Sequence, residues 1–112
     1  MYMIEAIIKP SALDDVKPRL ADLGILGATA LECKGFGKQK GHTERYRGGR
    51  MEVGFVPKVT LKVAVTNEDL DKALEAITDA ARTGNVGDGK VFVYELSKVV
   101  RVRTGETDHD AL

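Results

Sequence analysis

The fold is decided by residues 58–81, KVTLKVAVTNEDLDKALEAITDAA. Within this stretch the spacing of apolar residues changes from every second residue, as in a strand, to the spacing of a helix. Every second residue from Val59 to Val65 is apolar, which predicts a strand over 58–65 with one apolar face. The next four residues, 66–69 (TNED), are typical of a helix start, and apolar residues then recur at helical spacing as far as Ala81. The stretch therefore predicts a strand followed directly by an amphipathic helix.

The same two patterns recur on both sides of this stretch. The sequence predicts an apolar strand over 2–9, a helix that starts with a capping box at 11–14 and ends at Gly24, and a strand over 28–36. A fourth strand is predicted over 91–96. The order is βαββαβ, an α+β, ferredoxin-like arrangement of one domain over 1–112. Both helices cover one face of such a sheet, so we expect a homo-oligomer that covers the other face.

A long loop separates the second and third predicted strands. Residues 37–55 are rich in glycine and in Lys and Arg, and they show no strand or helix period. Loops of this length are uncommon in compact domains and are usually functional. A disordered insertion is the alternative interpretation.

The connection over 82–90 contains the motif GNVGDGK at 84–90, which matches the start of the GxxxxGK phosphate loop. Val91 replaces the Ser or Thr that would bind magnesium, and the motif follows a helix rather than a strand. What remains is a glycine-rich loop whose backbone N–H groups can bind an anion beside Lys90. A tight connection that only requires glycine explains the motif equally well.

Two further cationic elements accompany this loop. Arg101 and Arg103 lie two apart in the C-terminal segment 99–112, which we predict to be extended, so that both guanidiniums point the same way. Paired guanidiniums suit a polyphosphate, although a solvated strand face is the alternative. Lys38-Gln39-Lys40 follows GFG at 35–37. Three such elements in one short chain favour a bound anion.

Composition excludes several classes of function. Seventeen Lys and Arg balance seventeen Asp and Glu, so no net charge favours nucleic acid or an anionic membrane. The single cysteine, Cys33, has no partner for an intrachain disulfide. No apolar run approaches the length of a membrane span, and the acidic residue Glu5 lies where a signal peptide would be apolar. We therefore expect a cytoplasmic protein without direct membrane insertion.

Catalysis finds little support in the sequence. His42 and His109 have no neighbouring nucleophile, and no Ser/His/Asp or Cys/His arrangement is present. A small ATPase would need a base and a magnesium ligand, and an RNA-binding module would need more aromatic residues and a basic excess. We expect a binding protein and no catalytic residue.

Four ordered motifs carry a resemblance to a known family. They are KGFGKQKGHTERYRG at 34–48, FVPK at 55–58, TGNVGDGKVFV at 83–93 and VRVRTGE at 100–106. Together with AIIKP at 6–10, they resemble the PII signal-transduction family along the chain without a gap. The resemblance implies a homotrimer that senses ATP, ADP and 2-oxoglutarate in clefts between subunits. It also implies that the 37–55 loop, including Arg47, docks on nitrogen-metabolism targets such as an ammonium transporter.

The resemblance also implies a set of ligand-binding residues. A phosphate cradle from Gly87, Gly89 and Lys90 would meet Arg101 and Arg103 of the adjacent subunit, and Gln39 and Lys58 would bind Mg²⁺ and 2-oxoglutarate near Gly37 and Gly41. The complete expected set is Ile7, Thr29, Gly35, Phe36, Gly37, Lys38, Gln39, Gly41, Lys58, Ala64, Gly87, Asp88, Gly89, Lys90, Arg101 and Arg103, with Gln39 as the metal ligand.

Three positions depart from the family pattern. Met51 and Gly49 stand where relatives carry a modifiable tyrosine and serine, so we expect no covalent modification at position 51. Lys62 stands where glutamate is usual near the nucleotide. Regulation would then rest on ligands.

Overall fold

The computed structural model describes residues 1–37 and 54–112, together with the backbone at 44–45 and 51–52. Its elements follow the chain in a simple order, and their bounds are: β1 Tyr2–Ile8, a 3₁₀ turn Pro10–Ala12, α1 Leu13–Asp22, β2 Thr29–Gly35, β3 Glu44–Arg45, β4 Met51–Glu52, β5 Val56–Val65, α2 Leu70–Ala81, β6 Gly89–Glu95 and a 3₁₀ turn Asp108–Ala111. The short strands β3 and β4 pair with each other inside the predicted loop.

Four strands form one antiparallel sheet in the order β2-β5-β1-β6. The register pairs Ile8 of β1 with Val59 on one side and with Gly89 on the other. Strand β2 pairs with β5 from Thr29–Lys62 to Gly35–Val56. This order and the helices between the strands confirm the predicted ferredoxin-like α+β fold.

The core lies between the sheet and the two helices. Apolar residues at alternate positions of β1 and β5 pack against Val16, Leu20 and Ile77, and all three helix residues are at most 3% exposed. The helical spacing that predicted these positions therefore places one apolar stripe of each helix on the same face of the sheet. No helix in the described part of the chain is long and apolar enough to cross a membrane.

None of the described helices or strands covers the opposite face of the sheet. Leu31, Phe92 and Tyr94 lie on this face and are each between 44% and 48% exposed. Glu5 also lies there, where its carboxylate accepts a hydrogen bond from the Tyr94 hydroxyl at 3.3 Å. Exposed large apolar side chains side by side are typical of a surface that meets another protein.

The first helix begins differently from its prediction. We expected Ser11 to cap it, but the chain makes a 3₁₀ turn at Pro10–Ala12, and α1 begins at Leu13 without a side-chain cap. Proline fixes the first turn, and the Ala12 N–H donates to the Lys9 carbonyl at 3.0 Å. At the start of α2 the Thr66 hydroxyl does accept the Asp69 N–H, at 3.3 Å, as predicted.

Candidate functional site

The connection between α2 and β6 folds around one carboxylate. Asp88 accepts hydrogen bonds from the Thr83 hydroxyl at 2.5 Å, the Thr83 N–H at 2.7 Å and the Gly84 N–H at 2.9 Å. The Lys9 ammonium lies 3.3 Å from the same carboxylate. The Thr83 hydroxyl and then its N–H are the main reasons that the pKa of Asp88 is held well below its ordinary value of 3.8. Asp88 therefore closes the loop as an anion.

Two glycines of this loop adopt backbone conformations that other residues rarely adopt. The φ angles of Gly87 and Gly89 are 103° and 106°. A Cβ atom on Gly89 would lie 1.8 Å from the Ile7 carbonyl oxygen, because β6 begins there directly against β1. The glycines are thus required by backbone geometry, as the alternative of a tight connection supposed.

Lys58 connects β5 to this loop. Its side chain is 8% exposed, and its ammonium donates a hydrogen bond to the Gly87 carbonyl at 2.5 Å. An ammonium has three N–H donors, and this contact uses one of them. Lys58 therefore holds the loop in place and retains donors for another acceptor.

A pocket of about 590 Å³ opens where the ends of β2, β5 and β1 meet this loop. Lys58 and Lys90 both line it, and none of its described lining residues is acidic. The complete described lining is Ile7, Gly35, Phe36, Gly37, Lys58, Gly87, Gly89, Lys90 and Phe92. Two cations, glycine backbone and apolar walls are the chemistry that binds an anion attached to an apolar group.

The pocket brings together eight of the residues expected from the sequence and leaves others elsewhere. Asp88 turns away from the pocket toward Thr83 and Lys9. Thr29 and Ala64 lie toward the other end of the sheet, since Thr29 pairs with Lys62 and Ala64 pairs with Met3. Lys58 and Ala64 are six positions apart on β5, which is roughly 20 Å in an extended strand. Within one chain these residues cannot contact one small ligand.

A second groove, of about 610 Å³, lies at this other end. Ala64 and Arg101 both line it, together with Gly27 and the C-terminal residues Ala111 and Leu112. Ala64 and Arg101 thus lie at the opposite end of β5 from the pocket that Lys58 lines.

The prediction that Arg101 and Arg103 lie on one extended segment is wrong. The chain turns between Arg101 and Glu106, and Arg103 lies within this turn. The Gly105 N–H donates to the Arg101 carbonyl and the Arg101 N–H donates to the Glu106 carbonyl, both at 2.8 Å. The Arg101 guanidinium also lies 2.9 Å from the Glu106 carboxylate. Gly105, with a φ of 76°, permits this turn. Arg101 therefore already has an anionic partner within its own chain.

Phe92 lines the pocket and was not among the expected residues. It lies two residues after Lys90 on β6, so both side chains point to the same face of the sheet. That spacing was visible in the sequence and could have identified it. Lys38, Gln39, Gly41 and Arg47 were also expected to act here or in the loop, and they lie outside the described residues.

The fold and the pocket define a ferredoxin-like domain with a cationic, glycine-lined cavity at one end of its sheet. The family model described as "Nitrogen regulatory protein P-II" matches residues 1–106. The chain is 54% identical to a nitrogen regulatory protein P-II of Pasteurella multocida and 50% identical to the nitrogen regulatory protein GlnK of Escherichia coli K12. Both alignments cover 112 residues and the whole of each chain.

The chain therefore belongs to the nitrogen regulatory protein P-II family. This confirms the resemblance found in the four motifs. The relatives are named as regulatory proteins and not as enzymes, in agreement with the expectation of a binding protein.

Proposed function

We propose that this protein senses ATP, ADP and 2-oxoglutarate and passes their occupancy to protein targets. The observation that carries the proposal is the pocket itself. Lys58 and Lys90 face a cavity bordered by Gly87 and Gly89, and Ile7, Phe36 and Phe92 supply apolar walls. A nucleotide presents the matching chemistry, because its phosphates are anionic and the flat faces of its aromatic base pack against apolar side chains.

We propose further that the site is completed by a second copy of the chain in a homotrimer. Arg101 and Ala64 line a groove at the far end of β5 from Lys58, so they could reach the same nucleotide only from a neighbouring subunit. The uncovered sheet face, with Leu31, Phe92 and Tyr94 exposed, supports this association.

Magnesium and 2-oxoglutarate would bind beside the phosphates. No group of three or more His, Cys, Asp or Glu suited to a metal ion occurs among the described residues. Magnesium commonly relies on ligand oxygens and few protein groups, which fits a site where Gln39 would be the protein ligand. Lys58 has donors left for the keto acid carboxylate.

The 37–55 loop, which includes Arg47, would carry the response to targets, and an ammonium transporter is the candidate that the resemblance suggests. A ligand shifts the loop only by its different affinity for two loop states. We place this activity in the cytoplasm, where ATP and 2-oxoglutarate are present.

Calorimetric titration of ATP, with and without Mg²⁺ and 2-oxoglutarate, tests the proposal. We expect Lys90→Ala and Arg103→Ala each to weaken ATP binding by about 1.5–3 kcal/mol, the usual range for a hydrogen bond to a charged group. Lys72→Ala, an exposed lysine on α2, is the matched control and should bind like the wild type. Unchanged ATP affinity in both pocket variants would refute the nucleotide site.

Gln39→Ala tests the keto acid response separately. We expect this variant to lose the effect of 2-oxoglutarate and to keep much of its ATP affinity, because Gln39 would bind the metal and the keto acid together. The same calorimetric titrations measure both quantities. A variant that responds normally to 2-oxoglutarate would contradict this role.

A further inference from the structure

Phe36 and Phe55 flank the segment 37–54, one at each end. Their rings lie 5.0 Å apart between centroids and at 88° to each other, an edge-to-face contact. The last paired position of β2 and β5 is Gly35–Val56, and Phe36 follows Gly35 in the chain whereas Phe55 precedes Val56. The ring contact thus extends the ladder by one position, at the point where the chain leaves the sheet.

Burial does not explain this contact. Phe36 is 62% exposed and Phe55 is 64% exposed, and neither belongs to the hydrophobic core. Two rings this exposed add little to the stability of the fold through removal from water. Their placement relative to the pocket offers a better explanation.

The two rings have different positions relative to the pocket. Phe36 lines it, next to Gly35 and Gly37, whereas Phe55 is not among its lining residues. The Phe36–Phe55 contact therefore joins the pocket wall to the start of β5, on the far side of the 37–54 segment. A ligand that moves the Phe36 ring therefore changes the packing contact between the Phe36 and Phe55 rings.

We propose that Phe55 is a positioning residue that couples occupancy of the pocket to the conformation of the 37–54 segment. This inference rests on the proposed function, since it requires a ligand against Phe36. The free energy of this coupling cannot exceed the free energy of the ring contact, because a ligand shifts an equilibrium only by the difference in its affinity for the two states. An edge-to-face pair is worth enough to change an equilibrium by about 2- to 10-fold.

The experiment compares Phe55→Ala and Phe55→Tyr with the wild type in calorimetric titrations of Mg-ATP, each with and without 2-oxoglutarate. The ratio of the two ATP affinities measures the coupling between ATP and 2-oxoglutarate. This ratio reports on the segment because Gln39, the proposed ligand of the metal and the keto acid, belongs to it. We expect Phe55→Ala to keep its ATP affinity without keto acid within about 2-fold and to reduce the coupling ratio about 2- to 10-fold. Phe55→Tyr retains a ring and should retain the ratio. Val86→Ala, which removes another exposed apolar side chain near the pocket, is the control and should change neither.

The outcomes separate this inference from the proposed function. If the wild type binds no ATP, or if its ATP affinity does not respond to 2-oxoglutarate, both are overturned. If the wild type responds and Phe55→Ala keeps the full coupling ratio, the inference alone is overturned. The same holds if Phe55→Ala weakens ATP binding by more than about 10-fold without keto acid, because Phe55 would then be part of the binding site.

Discussion

Asp88 stabilises the glycine-rich loop only while it is ionised. Its carboxylate accepts from Thr83 and Gly84 and lies beside the Lys9 ammonium, so folding lowers the pKa of this group below 3.8. A lowered pKa in the folded state means that the carboxylate contributes stability at every pH above 3.8. That contribution is lost as the pH falls from 3.8 through the pKa of the folded state.

We predict that Asp88→Asn lowers the thermal midpoint at pH 7 and that its difference from the wild type shrinks as the pH is lowered below 3.8. The amide has no charge and cannot accept all of the hydrogen bonds that the carboxylate accepts. Thermal melts between pH 7 and pH 3 measure the difference. Asp79→Asn, an exposed aspartate on α2 whose ion pair with Arg82 is 3.4 Å long, is the control. A difference for Asp88→Asn that is independent of pH would contradict the prediction.

For single residues, the sequence predicted which side chains belong to the site better than it predicted which other side chains they contact. Lys58 and Lys90 were expected in one site, and the structure places both in one pocket. The Arg101–Glu106 pair was not expected, since it depends on the turn between these two residues, in which Gly105 has a positive φ. Chemical type can be read from a single position, whereas a contact depends on the path of the chain between two positions.

The helix α2 shows how strongly periodicity specifies an element. Ala73, Ile77 and Ala81 recur every fourth residue, and all three are buried against the sheet. Thr66 accepts the Asp69 N–H before the helix, as its sequence predicted. Because propensity, capping and pattern agree here, the element could be predicted from the sequence alone.

We predict that Ile77→Ala lowers the free energy of unfolding by about 2–5 kcal/mol, the range for removing a large buried aliphatic side chain. Ile77 is fully buried, so the cavity that remains adds to the lost transfer energy. Urea unfolding at a fixed protein concentration measures the change, since association also contributes to stability. Glu75→Ala, on the exposed face of the same helix, should stay within about 0.5 kcal/mol of the wild type.

Strand β5 shows where local rules were insufficient. We expected it to begin after Pro57, yet it begins at Val56 and includes the proline. The pairing of β1 with β5 ends at Val59, so at Pro57 the only neighbouring strand is β2. Because proline has no N–H, it cannot donate to a neighbouring strand, and on the β1 side of Pro57 there is no strand that needs this donor. The exception depends on which strands are adjacent, and that information is not local.

The two ends of β5 differ in what they present. Lys58 lines the pocket at one end, and Ala64 lines the groove with Arg101 at the other. In the proposed trimer each nucleotide would therefore lie between the pocket of one subunit and the groove of the next. The sequence could suggest both groups of residues, but their separation along one strand required the sheet register.

We predict that Lys90→Ala and Arg103→Ala complement each other when the two chains are mixed in one trimer. Each homotrimer would have three damaged sites, whereas every mixed trimer would regain one site with an intact lysine and an intact arginine. Random assembly of equal amounts should restore about a quarter of the wild-type number of high-affinity sites, because about three quarters of the trimers are mixed. Co-expression followed by ATP titration counts these sites.

The control is the double variant Lys90→Ala/Arg103→Ala mixed with the wild type, which cannot gain sites beyond those of the wild-type chains alone. No restoration in the mixture of single variants would mean that both residues act within one chain. A sedimentation mass equal to one subunit at micromolar concentration would contradict the trimer itself.

A strand with different ends gives the proposed assembly a direction. Each subunit would extend from its own pocket to the pocket of one neighbour and never to that of the other, so subunits and ligands would alternate around a closed circle. A change at one ligand would reach the next ligand on one side through the β5 strand whose pocket holds it, and the ligand on the other side through the β5 strand whose groove covers it. The ring of subunits would therefore be directional: each ligand site would be linked to one neighbouring site through one end of β5 and to the other neighbouring site through the opposite end.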